Sequence, residues 1–167
     1  YYPAYGQASH WDGHGSFPSP YFPYWLVPSL QWALDSRDPI GGGHGYTTNI
    51  FGLASTVDPW DADAQARLRQ VGERLYGNAA AVDPWGGYEG KAWPAVRHQD
   101  RGALKDSLRV CDNIFPMLTD PQRDDYLVSV DGVEGWRLEH YLFEAACDWD
   151  LLAGELDRAG ERIFTAE

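Results

Sequence analysis

Cysteine is scarce in this chain. Cys111 and Cys147 are the two cysteines in 167 residues, and they do not form a CxxC pair. That excludes a disulfide framework and favours a reducing compartment, so the expected location is cytoplasmic. Basic residues are also few. Lys and Arg number 13 against 25 Asp and Glu, for a net charge of −12. Such a chain has no general positive field with which to hold nucleic acid or an anionic membrane. No apolar run approaches the ~20 residues that span a bilayer, and no signal-peptide pattern is visible. Alternating apolar and polar runs of useful length are missing too, which argues against an extended sheet.

Apolar and aromatic residues are plentiful. Hydrophobic residues make up 44% and aromatic residues 14%, with eight Trp. That is enough to bury a core, and the length suits one compact domain. Composition divides the chain into an aromatic, Pro- and Gly-rich segment at 1–60 and a helical region at 61–167. The first residue is Tyr1, not Met, and Glu167 falls inside a helical pattern that has no cap. The expectation is a piece of a longer polypeptide.

Prolines 3, 18, 20, 23 and 28 prevent a long helix at the start. His10, Asp12 and His14 form an HxDxH pattern that would suit a metal, or equally surface histidines. A short helix is predicted over Ser29 to Leu34. Asp38-Pro39-Ile40 then leads into Gly41-Gly42-Gly43-His44-Gly45. Exposed N–H groups there suit an anion or cofactor, and a flexible turn would look the same. It is not a P-loop, since no Gly-Lys-Ser/Thr follows.

Asp58-Pro59-Trp60-Asp61 predicts a helix start. Ala64, Leu68, Val71 and Leu75 mark one face through Tyr76, and Gly77-Asn78 predicts the stop. Gly86 to Gly90 is a second glycine-rich turn, closed by Lys91, a candidate contact for phosphate or carboxylate. A helix is predicted from about Ala95 up to Pro116. Asp120-Pro121 suggests another helix start and Asp131-Gly132 a turn. Leu138, Tyr141, Leu142, Ala145, Trp149 and Leu152 predict a helix face, and a last helix is predicted from about Glu155. The fold class is mainly α, with irregular glycine-rich connections.

The stretch from Gly102 to Leu118 joins an apolar stripe to one thiol. Leu104, Leu108, Cys111 and Phe115 share one face of a regular helix, with Asp106 about 140° away from Cys111. A buried core thiol and a metal-ligating one both fit that pattern.

Three segments together resemble the carboxy-terminal part of the aldehyde ferredoxin oxidoreductase family, the tungsten or molybdenum bispterin enzymes. One runs from Gly90-Lys91-Ala92 through His98-Gln99-Asp100 to Lys105-Asp106-Ser107-Leu108-Arg109-Val110-Cys111-Asp112. Another is Gly160-Glu161-Arg162-Ile163. The third is Asp38-Pro39-Ile40-Gly41. The resemblance covers about Asp38 to Glu167. It implies that Cys111 is one ligand of a [4Fe–4S] cluster and that Asp106 hydrogen-bonds the pterin. Asp38 matches a second pterin-contacting Asp. Gly41, Lys91 and Val110 join these as candidate cofactor contacts.

The resemblance further implies glycine-rich cofactor-facing loops in part of a larger multidomain enzyme. Such an enzyme oxidises an aldehyde to a carboxylate and passes electrons through the cluster to ferredoxin or an iron–sulfur subunit. His44, His98 and Glu89 are the acid–base candidates. Two departures stand out. Many members carry Gly where this chain has Arg109, and Ile40 stands where Arg is usual. A four-iron cluster usually needs four thiolates, so the remaining cofactor-binding region or subunit would have to supply the others. Two readings from other classes stay open: a cofactor-free helical interaction module, and a small metal hydrolase built on His10, Asp12 and His14.

Overall fold

The computed structural model describes residues 26–34, 45–83, 86–113, 115–152 and 154–166. It is mainly helical. α1 is Leu26–Leu34. A π-helical turn, Thr47–Phe51, runs on into one α-helical turn, Gly52–Ala54. α2 is Ala62–Tyr76, followed by a 3₁₀ turn at Ala79–Val82. α3 is Ala92–Leu108. A two-residue hairpin pairs β1, Ser129–Val130, with β2, Val133–Glu134. α4 is Gly135–Cys147 and α5 is Glu155–Ala166.

α2 forms where its sequence predicts. Asp61 caps it, its carboxylate accepting from the Asp63 and Ala64 N–H groups at 2.9 and 3.1 Å. Such a cap stabilises a helix by about 1 kcal/mol. Gly77 ends it with φ +69 and donates its N–H to Glu73 O at 2.8 Å. The predicted face, Ala64, Leu68, Val71 and Leu75, is buried. It packs into one core with Val27, Tyr46, Ile50, Leu53, Val82, Leu118 and Trp136. Each large aliphatic side chain buried there contributes roughly 1.5–3 kcal/mol.

α3 is the central element. It packs against α1 and, most extensively, against α5. The crossing with α5 is tight at Gly160, where a Cβ would stand 2.5 Å from Asp100 O. Asp131 and Gly132, both at positive φ, make the predicted turn of the hairpin.

Three expectations are corrected. α3 does not run on towards Pro116 but stops at Leu108, because Arg109 turns left-handed at φ +57. Cys111 and Phe115 are therefore not on its apolar stripe. No helix starts at Asp120-Pro121. There the Asp120 carboxylate accepts from Gln122 N–H at 2.9 Å, closing a turn instead. α4 ends at Cys147, so Trp149 and Leu152 lie beyond it and are exposed.

Candidate functional site

The end of α3 is built by its backbone. Arg109 N–H donates to Asp106 O at 3.1 Å and Val110 N–H to Lys105 O at 2.9 Å. This paired closure satisfies carbonyls that the helix leaves open. It puts Asp106 in the last turn and Cys111 just past the reversal. Both side chains are exposed, and Cys111 is a free thiol. Val110 between them is half-buried.

The residues flanking this pair are interior. Lys105 is 2% exposed, and its Nζ meets Asp112 Oδ1 at 2.5 Å and Glu139 Oε1 at 3.2 Å. Glu139 also pairs with Arg101 at 2.5 Å, and Arg101 reaches Asp157 on α5. One chain of charges, buried except at Asp157, thus joins α3, α4, α5 and the turn after α3. Burial pushes the Asp112 carboxyl up, but Lys105, His98 and the Gly45 N–H outweigh it and hold it below its ordinary value. For Glu139 burial wins over Arg101 and Lys105, and its pKa is raised.

The same turn is tied to the segment that follows the glycine-rich loop. Gly45 N–H donates to Asp112 Oδ2 at 2.6 Å, and Thr48 Oγ1 meets Asn113 Oδ1 at 2.5 Å. Asn49 completes the seam. Its Nδ2 donates to Gly45 O at 2.8 Å, and its Oδ1 accepts Leu118 N–H at 2.6 Å.

His98 sits behind this seam, fully buried. Its Nε2 lies 2.8 Å from the Tyr76 hydroxyl, and Tyr46 and Trp136 crowd its ring at centroid distances of 5.6 and 5.2 Å. Burial lowers its pKa to about 3, so the imidazole is neutral. A Cβ at Gly45 would meet His98 Nδ1 at 2.8 Å and Asp112 Oδ1 at 2.9 Å. That Nδ1 is buried with no hydrogen-bond partner among the described residues.

Lys91 is buried as well. Its Nζ donates to Asp83 O at 2.6 Å and also to Ala80 O. Glu89 is exposed in the turn before α3. Asp38, Gly41 and His44, like His10, Asp12 and His14, lie outside the described residues.

A family model described as aldehyde ferredoxin oxidoreductase, domains 2 and 3, matches residues 32–167. The chain belongs to the aldehyde ferredoxin oxidoreductase family. No curated protein and no solved structure matches it. Members of the family are oxidoreductases that use a tungsten or molybdenum pterin.

Within this family member, the structure brings Asp106, Val110 and Cys111 together at one helix end. It sets Lys91 and His98 in the interior. Among the described residues, no three His, Cys, Asp or Glu side chains cluster as a metal site. No described helix is long and apolar enough to cross a membrane. Sequence reading missed Lys105, Asp112, Glu139 and Asn49. The one available signal was the pair of charges, Lys105 and Asp112, bracketing the Asp106–Cys111 element.

Proposed function

We propose that this chain is the pterin- and cluster-contacting helical portion of a tungsten or molybdenum bispterin oxidoreductase that converts an aldehyde to a carboxylate. The observation that carries the reading is the end of α3. Asp106 and Cys111 stand exposed there, while their neighbours Lys105 and Asp112 are tied into the interior.

The donor chemistry fits in part. The Cys111 thiolate suits one iron of a [4Fe–4S] cluster. The Asp106 carboxylate suits the amine and ring N–H donors of a pterin. Cys147 is the one other thiol in the chain, so the remaining cluster ligands belong to another region or subunit. When bound, the metal–pterin group supplies the two-electron oxidation and the cluster carries electrons away one at a time.

This chain's own part is to hold and orient. The left-handed turn at Arg109 fixes the spacing of Asp106 and Cys111, and the Lys105–Asp112 pair fixes the turn to the core. Of the acid–base candidates, Glu89 is exposed. His98, buried and neutral, is assigned to positioning Tyr76 and the Gly45 backbone. His44 stays a candidate from the segment outside the described residues. Ferredoxin or an iron–sulfur subunit is the electron partner, and the cytoplasm the expected compartment.

The test is elemental analysis of the natively purified, oxygen-free protein with every chain that copurifies. Tungsten or molybdenum with about four irons per metal, the content of one cluster, is the expected result. Cys111→Ser should lower iron and acid-labile sulfide while Cys147→Ser leaves them unchanged. Absence of both metals and sulfide would overturn the reading in favour of a cofactor-free interaction module. The exposed Tyr141, Leu142 and Trp149 of α4 and its following loop would then be its binding surface.

A further inference from the structure

Asn49 lies in the π-helical turn Thr47–Phe51 and is 2% exposed. Turns of this kind are rare and recur at functional sites. This one is anchored on both sides of Asn49. Ile50 is fully buried, and the Tyr46 hydroxyl donates to Ala81 O at 2.6 Å.

Both ends of the Asn49 amide are engaged by backbone. Nδ2 donates to Gly45 O at 2.8 Å, while Oδ1 accepts the N–H of Leu118, 69 residues away, at 2.6 Å. A side chain of this length that donates at one end and accepts at the other is an amide. Aspartate lacks the donor, and leucine lacks both groups.

The two partners differ in kind. Leu118 is the fixed one. Its side chain is in the core, and its carbonyl accepts Val128 N–H at 3.0 Å. Next to it, the Thr119 hydroxyl donates to Asn49 O at 2.6 Å. Gly45 is the end that is positioned. Its N–H donates to Asp112 at 2.6 Å, and Asp112 directly follows Cys111. Thr48 acts alongside, its Oγ1 meeting Asn113 Oδ1 at 2.5 Å. Residues 45–49 thus grip the segment after Cys111 near its start, at Asp112 and Asn113, and again at Leu118 and Thr119. The exposed Cys111 thiol takes its place from that backbone.

We infer that Asn49 is a positioning residue for the Cys111 thiolate: it holds Gly45 against Leu118, so that Gly45 and Asp112 set the backbone that carries the sulfur. This rests on the reading of Cys111 as an iron ligand. Groups that orient a metal's ligands without touching the metal change its retention by roughly 10–100-fold when they are removed.

The test is the rate at which a ferrous chelator takes iron from the natively purified, oxygen-free protein, with every chain that copurifies. Asn49→Ala should release iron about tenfold faster than wild type. Thr48→Val removes one hydroxyl and keeps the shape, and it should release iron about threefold faster, the scale of one hydrogen bond. Leu68→Ala separates positioning from stability. It opens a cavity in the core under α2, so it should lower the melting temperature at least as far as Asn49→Ala does, yet leave the release rate unchanged. Amide exchange on the same samples reports on the backbone itself. Asn49→Ala should speed exchange at Gly45 and at 109–113 about tenfold while α2 keeps its protection. Equal release from wild type and Asn49→Ala, equal acceleration in Leu68→Ala, or unaltered exchange at 109–113 would each overturn the assignment and leave the cofactor reading in place. Wild-type protein without iron would overturn both, so iron content tells the two failures apart. If Asn49→Ala fails to fold, Thr48→Val decides the matter, an unchanged release rate overturning the assignment.

Discussion

Lys105 and Asp112 close an ion pair across the end of α3, and the six residues they bracket run from Asp106 to Cys111. The two exposed candidate ligands are therefore the ends of a loop whose base is buried. Asp112 is doubly engaged, since it also accepts the Gly45 N–H. Replacing it by Asn removes the charge facing Lys105 but keeps the shape. Breaking a buried pair from one side costs about 3–5 kcal/mol. Lys105 retains Glu139, so a loss of about 3 kcal/mol in urea unfolding is expected. A double-mutant cycle with Lys105→Met should show coupling above about 1 kcal/mol. Additive single and double variants would mean the pair does not hold the loop.

Arg109 adopts φ +57 where glycine would do so without strain. A non-glycine residue in that region costs roughly 1–2 kcal/mol. Arg109→Gly should therefore stabilise the protein by about 0.5–1 kcal/mol, part of the relief being offset by the greater freedom of glycine in the unfolded chain. The readout is a melting temperature raised by about 2 °C, the scale set for a chain of this length. A lowered melting temperature would mean that the Arg109 side chain makes a contact worth more than the strain.

The elements legible in the sequence were those whose signals are local. Asp61 and Gly77 bound α2, Asp131-Gly132 makes the hairpin turn, and Glu155 opens α5, each at its predicted place. The end of α3 was not legible, because arginine is not a helix-stopping residue and the apolar spacing of Leu104, Leu108, Cys111 and Phe115 continues past the reversal. Tertiary ties from Asp112 to Gly45 and Lys105 decided the matter. The site was half legible for the same reason. The Asp106–Cys111 spacing showed in the sequence. The pairing of Lys105 with Glu139, and the burial of His98 against Tyr76, depend on partners far along the chain. Several residues that carry the family resemblance turn out to be held by packing: Lys91 by two carbonyls, His98 by Tyr76, and Gly160 by the Asp100 backbone.

His98 makes stability depend on pH in a defined direction. Its folded pKa is lowered to about 3, mainly by burial, from about 6.5 in an unfolded chain. Between these values the unfolded state binds the proton and the folded state does not, so stability falls as pH drops below about 6.5. Asp100 works the other way. Burial and the neighbouring Glu161 and Asp157 raise it to about 6, so its protonation favours the folded state as pH drops through that value. Comparing wild type with His98→Gln isolates the histidine. The wild type should lose up to about 1.4 kcal/mol more per pH unit between pH 6 and 5, the slope of one proton. Parallel curves would mean that His98 is protonated in the folded protein.

Two glycines on the α3–α5 pair should respond oppositely to alanine. At Gly160 an added Cβ would stand 2.5 Å from Asp100 O and 3.0 Å from its carbonyl carbon. Both atoms are backbone of α3, so neither can swing aside, and α5 must move off the helix it packs against most. Overpacking of this kind costs typically 1–3 kcal/mol, and Gly160→Ala should lose about that much in urea unfolding. Gly102 lies within α3 with nothing within 4 Å of the added Cβ. There alanine brings its helix propensity without a clash, so Gly102→Ala should gain about 1 kcal/mol. Arg101, next in sequence, ties α3 to Asp157 of α5, so separating the helices at Gly160 should also loosen the charge chain leading to Asp112. Gly160→Ala should accordingly reduce the coupling energy measured between Lys105 and Asp112, whereas Gly102→Ala should leave it intact. An unchanged coupling in Gly160→Ala would show that the loop base is held without α5.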